Sequence, residues 1–212
     1  MTLKSDTELS AVNSILAAIG QAPVTSINPS NPETSLIKQI LDEAILETLS
    51  EGWVFNTENH YDLVPNVNDE ILISEDMLRV DIHNDHIYRS EDIVRRNGKL
   101  YDKVDHTYTF TDKIEADITW FFPFYPDPTS GITTVDYIPP VFKRYIINKS
   151  ATKSAVRMVG NPQLTKDLQQ QESLLRASCL EYDCNQGDYS YFGTPHNNSY
   201  RPYQPYHALL VR

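Results

Sequence analysis

The stretch DIHNDH carries the residue types best suited to hold a metal ion, namely Asp81, His83, Asp85 and His86. Imidazole and carboxylate groups are common ligands of transition metals. The centre of the same stretch, Asn84-Asp85, is also typical of a tight turn between two β-strands. Side chains on the two flanking strands need not converge on one point. We therefore interpret the stretch as a β-hairpin and predict no metal site.

Adjacent carboxylates are the second group that could do chemistry, for example Asp69-Glu70 and Glu75-Asp76. A glycosidase needs two carboxyl groups facing each other across a cleft, roughly 5 to 10 Å apart. Adjacent positions do not indicate such a pair, and in an acidic chain they are more typical of solvated loops. The chain also has no G-x-S-x-G nucleophile motif, phosphate-binding loop or dinucleotide fingerprint. We predict no catalytic residue, no cofactor and no enzymatic activity.

Cys179 and Cys184 are the two cysteines of the chain. The N-terminal MTLKSDTELS has no apolar run that would form a signal peptide, so a disulfide framework of the secreted kind is not indicated. Their spacing also differs from the Cys-x-x-Cys redox motif, and the nearest histidine is His196. We predict two free, structural thiols.

The charge of the chain argues against one broad class of function. Its 212 residues include 18 basic and 29 acidic side chains, for a net charge of −11. A protein that grips nucleic acid by neutralising phosphates needs clustered Lys and Arg. The small basic group of Arg95, Arg96 and Lys99 falls at a predicted hairpin tip, where it could touch a phosphate or simply face water. No segment approaches the ~20 apolar residues of a membrane helix, and we expect synthesis in the cytoplasm.

Two amphipathic helices are predicted near the start of the chain. Ser5 and Glu8 form a possible capping box for the first helix, and Gly20 suits its end. The second helix begins at Asn31 and Pro32, a cap followed by the residue preferred at the first helical position. Spacings of three and four place the apolar residues of each helix on one face. These are Leu9, Val12, Leu16 and Ile19, then Ile37, Ile40, Leu41, Ala44, Ile45 and Leu49.

After Gly52 the pattern changes to short β-prone runs separated by Asn, Asp and Pro. WVF, YDLV and ILIS are the first runs, and HTYTF with the run after Asp112-Lys113 supplies two more. Two hairpins are predicted, at Asn84-Asp85 and at Asn97-Gly98, because such pairs suit turns that need positive φ. The following PFYPDPTSGITTVDYIPP reads as a long connection. The pattern predicts an antiparallel sheet.

Two further helices are predicted in the last third of the chain. Pro139-Pro140 leads into the third, which ends at Gly160, and Asn161-Pro162 begins the fourth. Joining early and late helices in one bundle is the economical packing. We therefore predict an α+β fold of three parts, which are a discontinuous helical bundle domain (1–52 and 137–184), an inserted antiparallel β domain (53–136) and an extended C-terminal arm (185–212).

The predicted arm is rich in proline and in exposed aromatic residues. A disordered tail is usually poor in aromatics, whereas Tyr is enriched at protein interfaces. We interpret the arm as a segment that lies on a partner, with the alternative that it packs on its own domain. The candidate interface residues are Tyr189, Tyr191, Phe192, Tyr200, Tyr203 and Tyr206.

Several stretches resemble one known family. ELSAVNSILAAIGQAPVTSI, EGWVFNTE, LVPN and ILISEDMLRV, followed later by PPVFKRYIINKSA, LEYD and LLVR, are similar to tail tubular protein A, the head-to-tail adaptor of short-tailed bacteriophages. The likeness runs along the whole chain, and the N-terminal block is its most specific part. The chain departs from the family in the hairpin region and in the Tyr/Pro-rich arm.

The resemblance implies a structural virion protein rather than an enzyme. It implies a dodecameric ring between the portal protein and the tail nozzle, tail tubular protein B, with a tail fibre as a further partner. DNA would pass through the lumen during ejection without sequence-specific binding, and no membrane would be involved. A negatively charged lumen would repel phosphates and let DNA slide. The protein would be assembled in the host cytoplasm and reside in the virion tail.

Two other classes of function remain open at this level. One is a tail-associated hydrolase of envelope polysaccharide or peptidoglycan, which needs two opposed carboxyl groups in a cleft. The other is a free, monomeric binding module. Hydrolysis assays distinguish the first from an adaptor, and a mass measurement in solution distinguishes the second.

Overall fold

The computed structural model describes residues 7–28, 30–82, 92–125 and 138–187. Helices and antiparallel strands both occur, so the predicted α+β class is confirmed. A 3-10 turn, Val54–Asn56, and a π-helical turn, Ala155–Val159, complete the regular structure. The helices are α1 (Glu8–Ala18), α2 (Pro32–Leu49), α3 (Pro140–Ser154) and α4 (Pro162–Gly187), and the strands are β1 (Thr57–Leu63), β2 (Met77–Ile82), β3 (Ile93–Arg96), β4 (Lys99–Asp102) and β5 (Ile114–Trp120).

The start of α1 differs from its prediction. Thr7 is the N-cap, and its hydroxyl accepts from the Ser10 N–H at 3.2 Å while the Thr7 N–H donates to the Ser10 hydroxyl at 3.1 Å. The capping box of Ser5 and Glu8 is therefore wrong. Glu8 is the first helical residue, two positions before N3, where the residue that reaches back to the cap must stand. Gly20 follows the helix with φ of 79°, as its prediction required.

The start of α2 is confirmed. The Asn31 side chain accepts from the Glu33 N–H at 3.0 Å, and Pro32 occupies the first helical position. Asn therefore satisfies an amide that the first turn leaves free, and Pro contributes no amide that needs a partner. The predicted apolar face is buried along its whole length.

All four helices contribute to one hydrophobic cluster. Ile15 of α1, Leu41 of α2, Ile146 of α3 and Cys179 of α4 are each fully buried in it, together with Trp53 from the segment after α2. A second cluster lies under the strands and the turns that connect them, and its members include Leu63, Ile71, Leu100, Phe110 and Ile118. The proposed division of the chain into domains stays a prediction.

β5 is the central strand of a three-stranded antiparallel sheet ordered β1-β5-β2. Ala116 and Ile118 alternate along β5 and point into the second cluster. The edge strand β1 has an irregular register between Glu58 and Tyr61, where His60 adopts φ of 58°. A bulge of this kind twists a strand edge away from further pairing.

β3 and β4 form a separate hairpin. Its turn residues, Asn97 and Gly98, have φ of 52° and 70°, which confirms the predicted Asn-Gly hairpin. The other predicted hairpin, at Asn84-Asp85, lies outside the described residues, and so do residues 126–137 of the predicted connection over 123–140.

Three predicted strands are wrong. WVF forms the 3-10 turn because the Asn56 side chain accepts from the Trp53 N–H at 2.8 Å and closes a tight turn. ILIS makes a single bridge pair, Leu72 with Lys99, and HTYTF makes two isolated ones, Thr109 with Glu70 and Thr107 with Asp102. Ile71, Ile73 and Phe110 are buried as in strands, but local turns interrupt the backbone ladder on both sides.

The late helices are confirmed. α3 runs into the π-helical turn, which ends at Gly160 with φ of 66°. Asn161 caps α4 and accepts from the Gln163 N–H at 3.0 Å. α4 spans 26 residues but buries only Leu168 and Cys179, so most of its surface faces outward.

Candidate functional site

The predicted interface residues of the arm, Tyr189, Tyr191, Phe192, Tyr200, Tyr203 and Tyr206, all lie outside the described residues. His83, Asp85 and His86 of the metal candidate lie outside them as well, while Asp81 is in β2. Within the described part of the chain, no group of three His, Cys, Asp or Glu side chains is placed to hold a metal ion.

The segments that carry the adjacent carboxylates are held by one ion pair and by main-chain hydrogen bonds. The Glu70 carboxylate lies 2.6 Å from the Lys99 ammonium group. Asp69 adopts φ of 59° in a turn, and its carbonyl accepts from the Phe110 N–H at 2.7 Å. The Asp76 carbonyl accepts from the Phe121 N–H at 2.6 Å. These contacts tie loops to the sheet, as the loop interpretation predicted.

A polar cleft of about 190 Å³ opens on the face of the three-stranded sheet that points away from the second cluster. Asp81 of β2 and Asp117 of β5 are cross-strand partners in it. Like charges in direct opposition destabilise a sheet, and Arg79, which lies 3.1 Å from the Asp81 carboxylate, offsets this repulsion. Sequence reasoning missed Asp117, because only the pairing of β2 with β5 brings it to Asp81.

Hydrogen bonds connect the helices to the sheet at the joint, which we define as residues 51–56 with the α3 and α4 side chains that contact them. Buried Asn56 is its centre. Its side-chain amide donates to the carbonyls of Leu49 and Trp120, at 2.9 Å each, and its oxygen accepts from the Trp53 N–H. The Trp53 indole donates to the Thr48 carbonyl at 2.7 Å. One side chain thus ties the end of α2 to the end of β5.

α4 holds the joint from the other side. The Val54 N–H donates to the Asp183 carboxylate at 2.8 Å. Arg176 donates to both carboxylate oxygens of Glu51, at 3.0 and 2.8 Å, and to the Tyr145 hydroxyl at 3.1 Å. The hydrogen bond to Glu51, followed by that to Tyr145, raises the pKa of Arg176. Bidentate pairing of this kind fixes orientation as well as distance.

Aromatic rings fill the interior of the joint. The Phe142 ring centroid lies 4.8 Å from that of Trp53, 4.7 Å from that of Phe55 and 6.1 Å from that of Tyr182. Tilted and edge-to-face ring pairs at such distances add stability beyond burial alone. The EGWVFNTE stretch therefore encodes a packed connection between the helices and the sheet.

A ladder of ion pairs joins α2 to α3, and we call it the α2–α3 ladder. Glu47 pairs with Lys149 at 3.2 Å and with Lys153 at 2.6 Å. Glu43 pairs with Lys153 at 3.3 Å and with Arg157 at 3.2 Å. The hydrogen bond from Lys153 lowers the pKa of Glu47, with a further contribution from Lys149. Acidic α2 is thereby matched to basic residues of α3 and of the π-helical turn that follows it.

The small basic hairpin is already engaged in the fold. The Arg95 guanidinium donates to the Met77 carbonyl at 2.8 Å, Arg96 lies 4.2 Å from the centre of the Tyr101 ring, and Lys99 pairs with Glu70. These contacts favour the interpretation in which the hairpin serves the fold rather than a phosphate.

The two thiols are free, as predicted. Cys179 is buried, and burial raises its pKa to about 11. A thiol that stays protonated at neutral pH is a poor nucleophile. Cys184 is exposed on the last turns of α4.

Comparison with known proteins gives two matches. Residues 9–189 match the family described as tail tubular protein. Tail tubular protein A of Klebsiella phage KP34 is 30% identical over 112 residues, which is 52% of this chain and 57% of that protein. The chain thus spans a little over half the length of that relative. None of the described helices combines the length and apolar character needed to cross a membrane.

The match covers α1 to α4 and every described strand, so it takes in the joint and both hydrophobic clusters. The stretches that carry the resemblance in sequence include those that build the first helix, the joint and the start of α3. The chain therefore belongs to the tail tubular protein family, whose members are structural components of bacteriophage tails.

Proposed function

We propose that this protein is the head-to-tail adaptor of a short-tailed phage. Copies would form a ring, dodecameric in the assembled tail, that joins the portal protein to the nozzle protein and surrounds the DNA channel. The observation that carries the proposal is the family match over residues 9–189. The relative from Klebsiella phage KP34 is itself named tail tubular protein A.

The rigid joint supports an adaptor role. A ring segment transmits force between two partners, so its helices and its sheet must keep a fixed relation. Asn56, Arg176 and Asp183 provide that relation through hydrogen bonds between elements distant in sequence. Rigid subunits also lower the ordering cost of assembly.

The charge of the chain supports passage of DNA. The net charge is −11, and acidic residues outnumber basic ones in the described sheet region. Carboxylates that face a lumen repel phosphates and prevent the adhesion that clustered Lys and Arg would cause. We propose that DNA contacts the ring without sequence-specific binding.

Imaging of the protein mixed with its portal tests the proposal. We expect a ring stacked coaxially on the portal, together with a large increase in mass in solution. A monomer that never associates with the portal or with itself, across protein concentrations and salt conditions, would contradict it.

A tail-associated hydrolase is the alternative, and the Asp81–Asp117 cleft is the observation that favours it. Cross-strand Cβ atoms lie ~5 Å apart, close to the carboxyl separation of a retaining glycosidase. Asp81→Asn and Asp117→Asn test this function on capsular polysaccharide and peptidoglycan. The hydrolase would be established if the parent protein hydrolysed one of these substrates and either substitution abolished that hydrolysis without unfolding the protein. We expect no such turnover.

A further inference from the structure

The outward face of α4 carries a ridge of apolar side chains. Leu174 is 69% exposed and Leu180 is 47% exposed, and exposed Ala177 lies between them. Residues three apart are neighbours on a helix surface, with Cβ atoms about 5–6 Å apart, so the three side chains form one continuous ridge. Because the middle residue is small, the ridge has a notch at its centre. We call Leu174, Ala177 and Leu180 the α4 notch.

The notch faces away from the helical core. Leu168 and Cys179 are buried on the inner face of α4, and Leu175 and Tyr182 pack against the helical cluster on the same side. At ~100° per residue, Ala177 projects from the opposite side of the helix. The exposure of both leucines shows that no described segment covers the notch.

Charge does not select an occupant for the notch. From 173 to 186 the charged residues of α4 are Arg176, Glu181 and Asp183. Arg176 binds Glu51, and Asp183 accepts from the Val54 N–H, so both are turned toward the joint. The outward face near the notch is therefore nearly free of charge and suits an apolar or aromatic segment.

The chain connection does select an occupant. The predicted arm follows α4 directly, and Ala177 lies ~15 Å from the end of that helix. The chain between Gly187 and Tyr200 spans up to ~40 Å when extended, which is ample to turn back. The stretch GTPHNN over 193–198 is rich in turn-forming residues. A short flexible tether holds a segment at about millimolar effective concentration, well above that of a separate copy.

The sequence of the arm matches the notch in spacing. Residues 199–210 read SYRPYQPYHALL, in which Pro202 and Pro205 favour polyproline II. That helix has three residues per turn and rises ~9 Å per turn. Leu174 and Leu180 are also ~9 Å apart along α4. The side chains that share one edge of the polyproline pattern are Tyr200, Tyr203, Tyr206 and Leu209.

We propose that residues 199–210 pack on the α4 notch of their own chain and run antiparallel to α4. Tyr203 fills the notch over Ala177, between the two leucines. The contact lies on the surface of a folded helix, so it differs from burial of the arm in the domain core and the fold does not depend on it. A partner that takes up the arm must displace it from α4. The inference concerns a single chain and stands apart from the adaptor proposal.

Disulfide formation within one chain tests the contact. Cys184→Ser removes the exposed thiol, while Cys179 stays buried and protonated. In that background, Ser173→Cys adds a thiol beside the notch and His207→Cys adds one to the arm. Under mild oxidation at low protein concentration, this pair should close at least about tenfold faster than the control pair of Gln171→Cys and His207→Cys. Gln171 is also exposed and close to Ser173 in sequence, but it projects from another side of the helix.

The products distinguish the possible occupants. Equal closure rates in the two pairs would overturn the proposal. Covalent dimers in place of the closed monomer would also overturn it, because they would assign the notch to the arm of another copy. Docking on the portal is measured separately, so failure of the adaptor proposal would leave this result unchanged.

A second experiment leaves the arm unaltered. Chymotrypsin cleaves after tyrosine, and packing on α4 should slow cleavage after Tyr203 relative to cleavage after Tyr189. Ala177→Lys fills the notch with a residue that suits an exposed helix position. Cleavage after Tyr203 should then become at least about tenfold faster, with the circular dichroism spectrum unchanged. Gln169→Lys, on α4 but outside the notch, is the control and should behave as the parent protein does. Equal cleavage after Tyr203 in Ala177→Lys and the parent protein would contradict the proposal.

Discussion

Asn56 is the residue whose loss should cost the fold most for its size. Its side chain satisfies the Trp53 N–H and the carbonyls of Leu49 and Trp120, and it is 1% exposed. Asn56→Ala leaves these buried backbone groups without a side-chain partner, at ~1–3 kcal/mol each when water cannot replace it. We expect a loss of about 2–5 kcal/mol in urea denaturation. Asn68→Ala, at an exposed position, is the control and should change stability by less than about 0.5 kcal/mol.

Glu47 gives the α2–α3 ladder a pH dependence. Its pKa is lowered in the folded chain, so its contribution to stability is present above the pKa of the unfolded chain and lost as pH falls through the folded pKa. Because the side chain is 43% exposed, solvent screening limits the contribution to about 1 kcal/mol or less.

Glu47→Gln removes the titrating group, so its effect should itself depend on pH. We expect a small loss of unfolding free energy at pH 7, and a loss that shrinks at a pH low enough to protonate the parent side chain in the folded protein. Denaturation curves at both pH values measure it. An equal loss at both would show that packing, rather than charge, explains the effect.

At the scale of the element, the two faces of α2 should respond differently to truncation. Leu41 is fully buried among the helices, and Leu41→Ala should cost ~2–5 kcal/mol through lost contacts and a cavity. Leu46→Ala, on the exposed face, should change the stability of the monomer little. Thermal denaturation distinguishes the two. A cost at Leu41 no larger than that at Leu46 would contradict the shared helical core.

The helices could be predicted because their signals are local. Asn31-Pro32, Gly20 and Gly160 mark ends through backbone chemistry that depends on a few residues. The start of α1 was missed because Thr7-Ser10 forms a capping box with two hydroxyls rather than the usual hydroxyl and carboxylate. WVF was missed because a side chain, that of Asn56, closes its turn.

The joint and the sheet order could not be predicted. Both depend on contacts between residues far apart in the chain, such as Val54 with Asp183 and Asn56 with Trp120. Periodicity identifies which face of an element is buried, but not which element covers it. The cross-strand pair of Asp81 and Asp117 was hidden for the same reason, since β2 pairs with β5 rather than with β3.

At the scale of the whole molecule, removal of the predicted arm should impair assembly while leaving the fold intact. Truncation after Gln186 keeps all but one residue of α4, including the contacts of Arg176 and Asp183 with the joint. We expect a folded, soluble protein that docks poorly on its portal, because spaced tyrosines are effective anchors. Replacing Tyr200, Tyr203 and Tyr206 together by Ala should reproduce much of this docking defect. Co-sedimentation with portal rings measures it.

Two outcomes would contradict the arm prediction. Undiminished docking of the truncated protein would show that the arm is dispensable for portal contact. Loss of folding on truncation, seen in the circular dichroism spectrum, would favour the alternative in which the arm packs on its own domain.

The positions of the two tryptophans, on either side of the joint, allow the unfolding of each hydrophobic cluster to be followed by fluorescence. Of the two tryptophans, Trp53 lies in the helical cluster, while Trp120 packs against the sheet cluster and donates to Glu58 at 3.0 Å. The Trp53→Phe variant therefore keeps only the tryptophan beside the sheet cluster. The Trp120→Phe variant keeps only the tryptophan in the helical cluster. If the joint couples the two clusters, both emissions should change at one urea midpoint. Adding Asn56→Ala should separate the two midpoints, which would measure how strongly this connection makes unfolding cooperative.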